Sequence, residues 1–302
     1  MSSVIRRIAT SVRRTLKKAP PVQSWETCRR FRVERALLNN KAVATTEQTS
    51  VIHYSVNKAA TQYTKRIMLR CGAENGLIPV CMSDYAWVKD FPYLFTLSAD
   101  EVRRYLHIFR PHGFLYTVFG GLVEGIPDVD RYRTVIMIRD PRDVLVSGFY
   151  SYGKSHATPR DRKKAGEFEA FREKVSRQSV DDFVLDMSEN TRWRMQQYLD
   201  LQRSSESVCI LRYEDMLADF QTWLNRLLEH CQWEISAATR QELLSSANEG
   251  QRISGENTTS HRRQVVPGDH RRKLQGETIE RLNEQFAEIL TAFDYSQSVT
   301  AP

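Results

Sequence analysis

At 302 residues, 41% of them hydrophobic, the chain is long enough to bury an ample core. Its net charge of +7 is unevenly placed: residues 1–41 hold eleven Lys or Arg against Glu26 and Glu34, and the remainder carries a net of −2. No apolar run approaches the roughly 20 residues of a membrane-spanning helix. No signal-peptide core opens the chain. The five cysteines form no CxxC pair and are odd in number, as for reduced thiols, so the expectation is a cytoplasmic protein without a metal centre.

The arm, residues 1–48, comes first. Val4, Ile5, Ile8, Val12 and Leu16 among Arg6, Arg7, Arg13, Arg14, Lys17 and Lys18 fit a basic amphipathic helix for a membrane surface or organelle targeting. The competing reading is a solvated arm. Nucleic acid is not an expected partner, because no reader motif accompanies the charge.

From residue 49 to 297 strand and helix signals alternate, as in a single α/β domain with a central parallel sheet flanked by helices. Val51–Val56 reads as a strand and 57–62 as a short loop. A helix opens at Tyr63 and runs to about Cys71. Ala59 and Ala60 let backbone N–H groups approach a phosphate, Lys58 supplies charge and Thr61 a hydroxyl. Gly72 to Ser98 reads as loop with Trp87, Phe91, Tyr93 and Phe95, which are either core rings or an acceptor wall. Ser98 to Glu101 resembles a capping box. Pro111 to Phe119 reads as a strand stopped by Gly120-Gly121. His107 and His112 are separated by Pro111, so no single helix presents both to a metal.

Thr134 to Ile138 is an apolar run suited to a strand covered on both faces. It leads into Arg139-Asp140-Pro141-Arg142-Asp143-Val144-Leu145-Val146-Ser147. Pro141 at the first helical position and Asp143 in the first turn mark a helix start, where backbone N–H groups and the dipole favour anions. The polar stretch 152–178 reads as an acceptor-site lid or as a solvated helical excursion. Val208 to Ile210 is a strand. Phe220, Trp223, Leu224, Leu227 and Leu228 mark an amphipathic helix. A long loop spans 248–267, and a last helix runs from about Glu277 to Phe293.

These motifs resemble those of sulfotransferases that use 3′-phosphoadenosine-5′-phosphosulfate (PAPS), a family with a P-loop NTPase-like fold. The family's 5′-phosphosulfate loop, roughly Pro-Lys-Ser-Gly-Thr-Thr-Trp, falls on Asn57, Lys58, Ala59, Ala60, Thr61, Gln62 and Tyr63. Its 3′-phosphate motif, Arg-(Asn/Asp)-Pro-(Lys/Arg)-Asp-Val-x-Val-Ser, is matched at every defined position from Arg139 to Ser147. Tyr213-Glu214-Asp215-Met216 resembles the segment whose tyrosine lies near the adenine. The C-terminal motif Arg-Lys-Gly-x-x-Gly-Asp-Trp, aligned on Gly268-Asp269, puts Arg263 at the arginine, Gln264 at the lysine and His270 at the tryptophan. Ala60 stands where the family has glycine, so that position either avoids a left-handed backbone or carries strain.

The resemblance implies sulfuryl transfer from PAPS as co-substrate to a hydroxyl or amine of a small-molecule or carbohydrate acceptor. Lys58 would act on the leaving oxygen, Ala59 to Gln62 would line the 5′-phosphate, Tyr63 would stack on the adenine and Tyr213 would meet its edge. Arg139, Ser147 and Arg263 would hold the 3′-phosphate. His112 is the candidate general base and His156 the second choice, since an ordinary imidazole pKa near 6.5 suits proton removal at neutral pH. The alternative of another class is a non-catalytic module that binds adenosine bisphosphate or a sulfated polymer. A P-loop nucleotide kinase fits less well, because Gly-x-x-x-x-Gly-Lys-(Ser/Thr) is absent.

Overall fold

A computed structural model describes residues 29–251 and 266–295. The chain divides into two units at Val43/Ala44. In the first, helix α1 (Arg32–Leu38) is described. The second carries a five-stranded, wholly parallel sheet in the order β2-β3-β1-β4-β5.

Strand β1 (Val51–Ser55) is buried throughout and feeds helix α2 (Thr61–Glu74). Edge strand β2 (Ile78–Val80) and helix α3 (Met82–Val88) follow, inside the stretch expected to be loop. Both are too short to persist alone. They are held from outside: Ile78 to Val80 pair with Phe114 to Tyr116, and Lys65 of α2 bonds Asp84 of α3 at 2.8 Å. Pro79 is tolerated because β2 is an edge strand. The capping box forms at Ser98 and Glu101, opening α4 (Ala99–Val102).

Strand β3 (Phe114–Phe119) is fully buried, and β4 (Arg133–Ile138) is buried from Thr134 onward, as continuous apolar runs in a doubly covered sheet should be. Helix α5 (Pro141–Tyr150) starts where Pro141 and Asp143 place it. A π-turn at Ser151–Ser155 leads to α6 (Arg162–Ser176) and the long α7 (Val180–Ser204). Strand β5 (Val208–Arg212) is followed by α8 (Tyr213–Ala218), α9 (Phe220–Cys231) and α10 (Ala237–Gln251). After residue 265 come α11 (His270–Lys273), α12 (Gly276–Gln285) and α13 (Ala287–Ala292), so the last expected helix is two, broken at Phe286.

Neighbouring residues of β1 show how the sheet is sandwiched. The Tyr54 ring meets Tyr198 of α7, while the next residue, Ser55, bonds Thr61 at the start of α2. Adjacent strand residues point to opposite faces, so helices cover both. Because all strands are parallel, the segments that leave β1, β3, β4 and β5 emerge on one edge. No described helix is long and apolar enough to cross a membrane. The basic stretch 1–28, Arg262 and Arg263 lie outside the described residues.

Candidate active site

The loop after β1 is wound tightly. Thr61 Oγ1 donates to the Val56 carbonyl at 3.2 Å and lies 2.9 Å from Ser55 Oγ, while Val56 N donates to Met137 O of β4 at 3.0 Å. Lys58 and Ala60 both take left-handed conformations, with φ of 70° and 56°. Ala60 therefore carries the strain instead of avoiding it, and as the N-cap it starts the helix at Thr61, two residues before the expected position. Ala59 is fully buried, and Gln62 is exposed.

The Lys58 ammonium donates to Ser151 Oγ at 2.9 Å, and Asn57 Nδ2 donates to the Tyr152 hydroxyl at 3.4 Å. Tyr63 packs at 6.3 Å between ring centroids against Phe220, with the Arg66 guanidinium 5.7 Å from its centroid. Tyr63, in the first turn of α2, and Tyr213, at the start of α8, thus lie in the segments that leave β1 and β5 on the same edge of the sheet.

Helix α5 opens with an almost wholly internal ionic network. Asp140 caps it by accepting from Arg142 N at 3.0 Å, and Arg142 returns two bonds to the same carboxylate, at 3.0 and 2.6 Å. The third arm of Arg142 donates to Asn283 of α12 at 2.6 Å. Asp140 N donates to Glu214 Oε1 at 3.0 Å, and burial raises the Glu214 pKa. Asp140 would be the magnesium ligand of a kinase, and here it is closed in a bidentate pair. Among the described residues no group of three His, Cys, Asp or Glu is placed to hold a metal ion.

Arg139 joins the two motifs. Its Nη1 donates to the Lys58 carbonyl at 3.1 Å, and its guanidinium lies 4.5 Å from the centroid of the Tyr213 ring. Burial works against its charge, but Asp143, Tyr213, Glu214 and Asp140 more than offset this, and its pKa is raised. The side chain is 6% exposed, yet Nε has no partner among the described residues. A buried guanidinium N–H without an acceptor suits an arriving anion. Ser147, two turns into α5, is half-buried on the face of Asp143.

Asp143, which the sequence marks only as a first-turn carboxylate of α5, is the hub. Fully buried, it accepts from Gly268 N at 2.7 Å, His270 N at 3.0 Å and His270 Nδ1 at 2.7 Å. Burial pushes its pKa up, but the His270 bond and the Arg139 and His270 charges outweigh this and hold it far below the usual range. The aligned Gly268-Asp269-His270 is thereby fastened to α5 five residues after Arg263, which lies outside the described residues.

His112 requires a correction. It precedes β3, forms an isolated bridge with Thr49, and its Nδ1 lies 3.1 Å from the Glu47 carbonyl. Gly113 turns the chain there at φ +84°, with room for no Cβ against Ala44. His112 thus sits at the starting edge of the parallel sheet, while Lys58 and Arg139 sit at the finishing edge. The strand between spans roughly 20 Å at about 3.3 Å per residue. No hydroxyl beside Lys58 is within its reach.

His156 closes the π-turn that supplies Ser151 to Lys58. Its ring lies 5.5 Å from Tyr152, 5.9 Å from Trp87 and 5.4 Å from Phe168. Phe95 leans on Gly120, where an added Cβ would stand 3.3 Å from its ring and 3.5 Å from Asn57 Oδ1. Trp87, Phe91, Tyr93 and Phe95 are all half-buried, not core. Helix α6 is fastened to this wall. Lys164 donates to the carbonyls of Ala86, Lys89 and Phe91, and Arg172 to those of Tyr152 and His156. The stretch 152–178 is thus tied down over the aromatic segment, not a purely solvated excursion.

A family model described as "Sulfotransferase domain" matches residues 129–294. The fold is shared with mouse sulfotransferase SULT7A1 complexed with PAP, at 13% identity and a TM-score of 0.56, over 87% of this chain and 89% of that one. It is also shared with retinol dehydratase in complex with retinol and PAP, at 15% identity and a TM-score of 0.53, over 85% of each chain. The same enzyme with androsterone and the inactive cofactor PAP matches at 14% and 0.52. No curated protein sequence matches this one.

Proposed function

The chain belongs to the sulfotransferase family, and from that premise we propose that it moves a sulfuryl group from PAPS to a hydroxyl or amine of a small-molecule or carbohydrate acceptor. Residues 49–297 form the catalytic domain in this reading, in the cytoplasm, and the basic residues 1–48 make an arm suited to a membrane surface. The observation that carries the proposal is the Arg139 to Lys58 carbonyl bond, which sets the two phosphate segments side by side on one sheet edge.

Sulfuryl transfer asks for in-line placement and for neutralising the charge that grows on the departing phosphate oxygen. Lys58, held by Ser151, supplies that charge, with Thr61 and the N–H groups at the start of α2 beside it. Arg139 offers Nε to the 3′-phosphate and Ser147 a hydroxyl, and the family resemblance adds Arg263, which lies outside the described residues. Tyr213 sets the plane of Arg139 and meets the adenine edge, with Tyr63 on the adenine face. The acceptor lies against Asn57, Gly120, Phe95, Tyr152 and Trp87, and His156 takes over the role of general base from His112.

The test is calorimetric. Adenosine 3′,5′-bisphosphate should bind far more tightly than adenosine 5′-monophosphate, and Arg139→Ala should remove about one to two decades of that preference, the worth of a charged hydrogen bond. Equal affinities in the parent protein would refute the donor site. In a transfer assay with EDTA present, turnover should persist, and His156→Ala should lower kcat by about two to four decades with bisphosphate binding intact. Near-normal turnover in that variant would remove His156 as the base.

A further inference from the structure

Asp143 and Arg139 are one turn apart on a buried helix start, yet they do not close on each other. Guanidinium and carboxylate commonly meet at about 2.7–2.9 Å, whereas Arg139 Nη2 stands 3.5 Å from Asp143 Oδ2. The shorter bonds of Asp143 all run to the C-terminal segment: Gly268 N on Oδ2, and both His270 N and His270 Nδ1 on Oδ1. A carboxylate only accepts, so His270 Nδ1 carries the proton in that bond. His270 is 1% exposed.

Resting on the donor site proposed above, we propose that His270 is a positioning residue for the 3′-phosphate. By donating to Asp143 it satisfies that carboxylate and keeps it from drawing the Arg139 guanidinium away from the ligand. Arg139 is otherwise steered by one bond to the Lys58 carbonyl, by the face of Tyr213 and by the charges of Glu214 and Asp140, and its Nε stays without a protein partner among the described residues. Removing the Nδ1 donor leaves a buried carboxylate short of one strong hydrogen bond. The nearest cation able to supply it is Arg139, and a guanidinium spent on Asp143 is lost to phosphate.

His270→Asn and His270→Gln separate this role from simple fastening of the segment. The Asn amide nitrogen stands at the position of Nδ1 and can still donate to Asp143, whereas the Gln amide reaches the position of Nε2. Titrations with adenosine 3′,5′-bisphosphate and adenosine 5′-monophosphate should show H270N keeping the parent's affinity ratio. H270Q and H270F should cut it about tenfold, through the bisphosphate alone. In turnover, KM for PAPS should rise by the same factor with little change in kcat. Equal ratios in H270N and H270Q, or both nucleotides weakened alike, would overturn the positioning role while leaving the donor site standing. A parent protein without preference for the bisphosphate would overturn both.

Discussion

The two segments assigned to the phosphates are held by opposite means. At the start of α5, Arg139, Asp140, Arg142 and Asp143 are all buried, and apart from Arg139 Nε they are met by partners from β1's loop, α8, α12 and the segment before α11. The loop after β1 instead places two residues with side chains at left-handed φ, and its ties include the hydroxyls of Ser55 and Thr61, the Lys58 bond to Ser151 and the Arg139 bond to the Lys58 carbonyl. The first is rigid because many buried bonds determine it. The second is a strained turn that the surrounding bonds overcome. In the reading proposed above, the preformed network would anchor the donor, and the strained loop would present Lys58 to the departing oxygen.

Breaking the α5 network should have the largest effect on stability. Arg142→Leu leaves the Asp140 carboxylate buried without its bidentate partner, and loss of about 3–5 kcal/mol is expected in chemical denaturation. A loss below 1 kcal/mol would show that the network is redundant. Lys58→Ala should instead leave stability nearly unchanged and lower kcat by about two to three decades, as for removal of one preorganised transition-state donor. If KM for PAPS rose with kcat intact, Lys58 would be a binding group only.

A third test is pH. His53, in β1 beneath the loop, lies 2.8 Å from Thr117 Oγ1, and burial, assisted by Lys65, lowers its pKa to about 3. The unfolded chain takes up this proton below the ordinary value of 6.5, and the folded chain does not until about 3. Stability is therefore full above pH 6.5 and falls with acid, by about 1.4 kcal/mol per pH unit from this group. His53→Gln should flatten that slope in denaturation curves between pH 6 and 4; an unchanged slope would assign the acid sensitivity elsewhere. The smallest effect sharpens the idea of a strained loop. Ala60→Gly should stabilise by about 0.5–1 kcal/mol, the left-handed penalty less the extra chain entropy of glycine. A raised denaturant midpoint at constant slope is the expected reading, and a lowered midpoint would mean that Ala60 is not strained.

The sites differ in how legible they were. Arg139 to Ser147 could be read directly, because Pro141 and Asp143 specify a helix start locally and the apolar run before them specifies a buried strand. Asn57 to Tyr63 could be read as a loop, but its first helical residue could not, since a left-handed alanine opposes local preference and is imposed by the bonds of Thr61 to Ser55 and Val56. Helix α3 escaped because its seven residues are held by Lys65 and Lys164 from other helices. Ser151 had one available signal, its place four residues after Ser147 on the same helix face, whereas nothing local marks His270 as a partner of Asp143, 127 residues away.

By itself the sequence determined the parallel α/β class, the order of the motifs and which charged side chains stand at the strand-to-helix turns, because strand burial, helix starts and turns are written in neighbouring residues. Which edge of the sheet each histidine occupies was decided only by the tertiary structure. His112 and Phe119 belong to one continuous segment, but strand direction and register send them to opposite edges, so closeness in sequence to the phosphate motifs said nothing of closeness in space. The same holds for Arg139, Lys58 and Asp143. Their charges could be read residue by residue, but the sharing of one carbonyl and one carboxylate among them exists only once β1, β4 and the C-terminal segment are packed together.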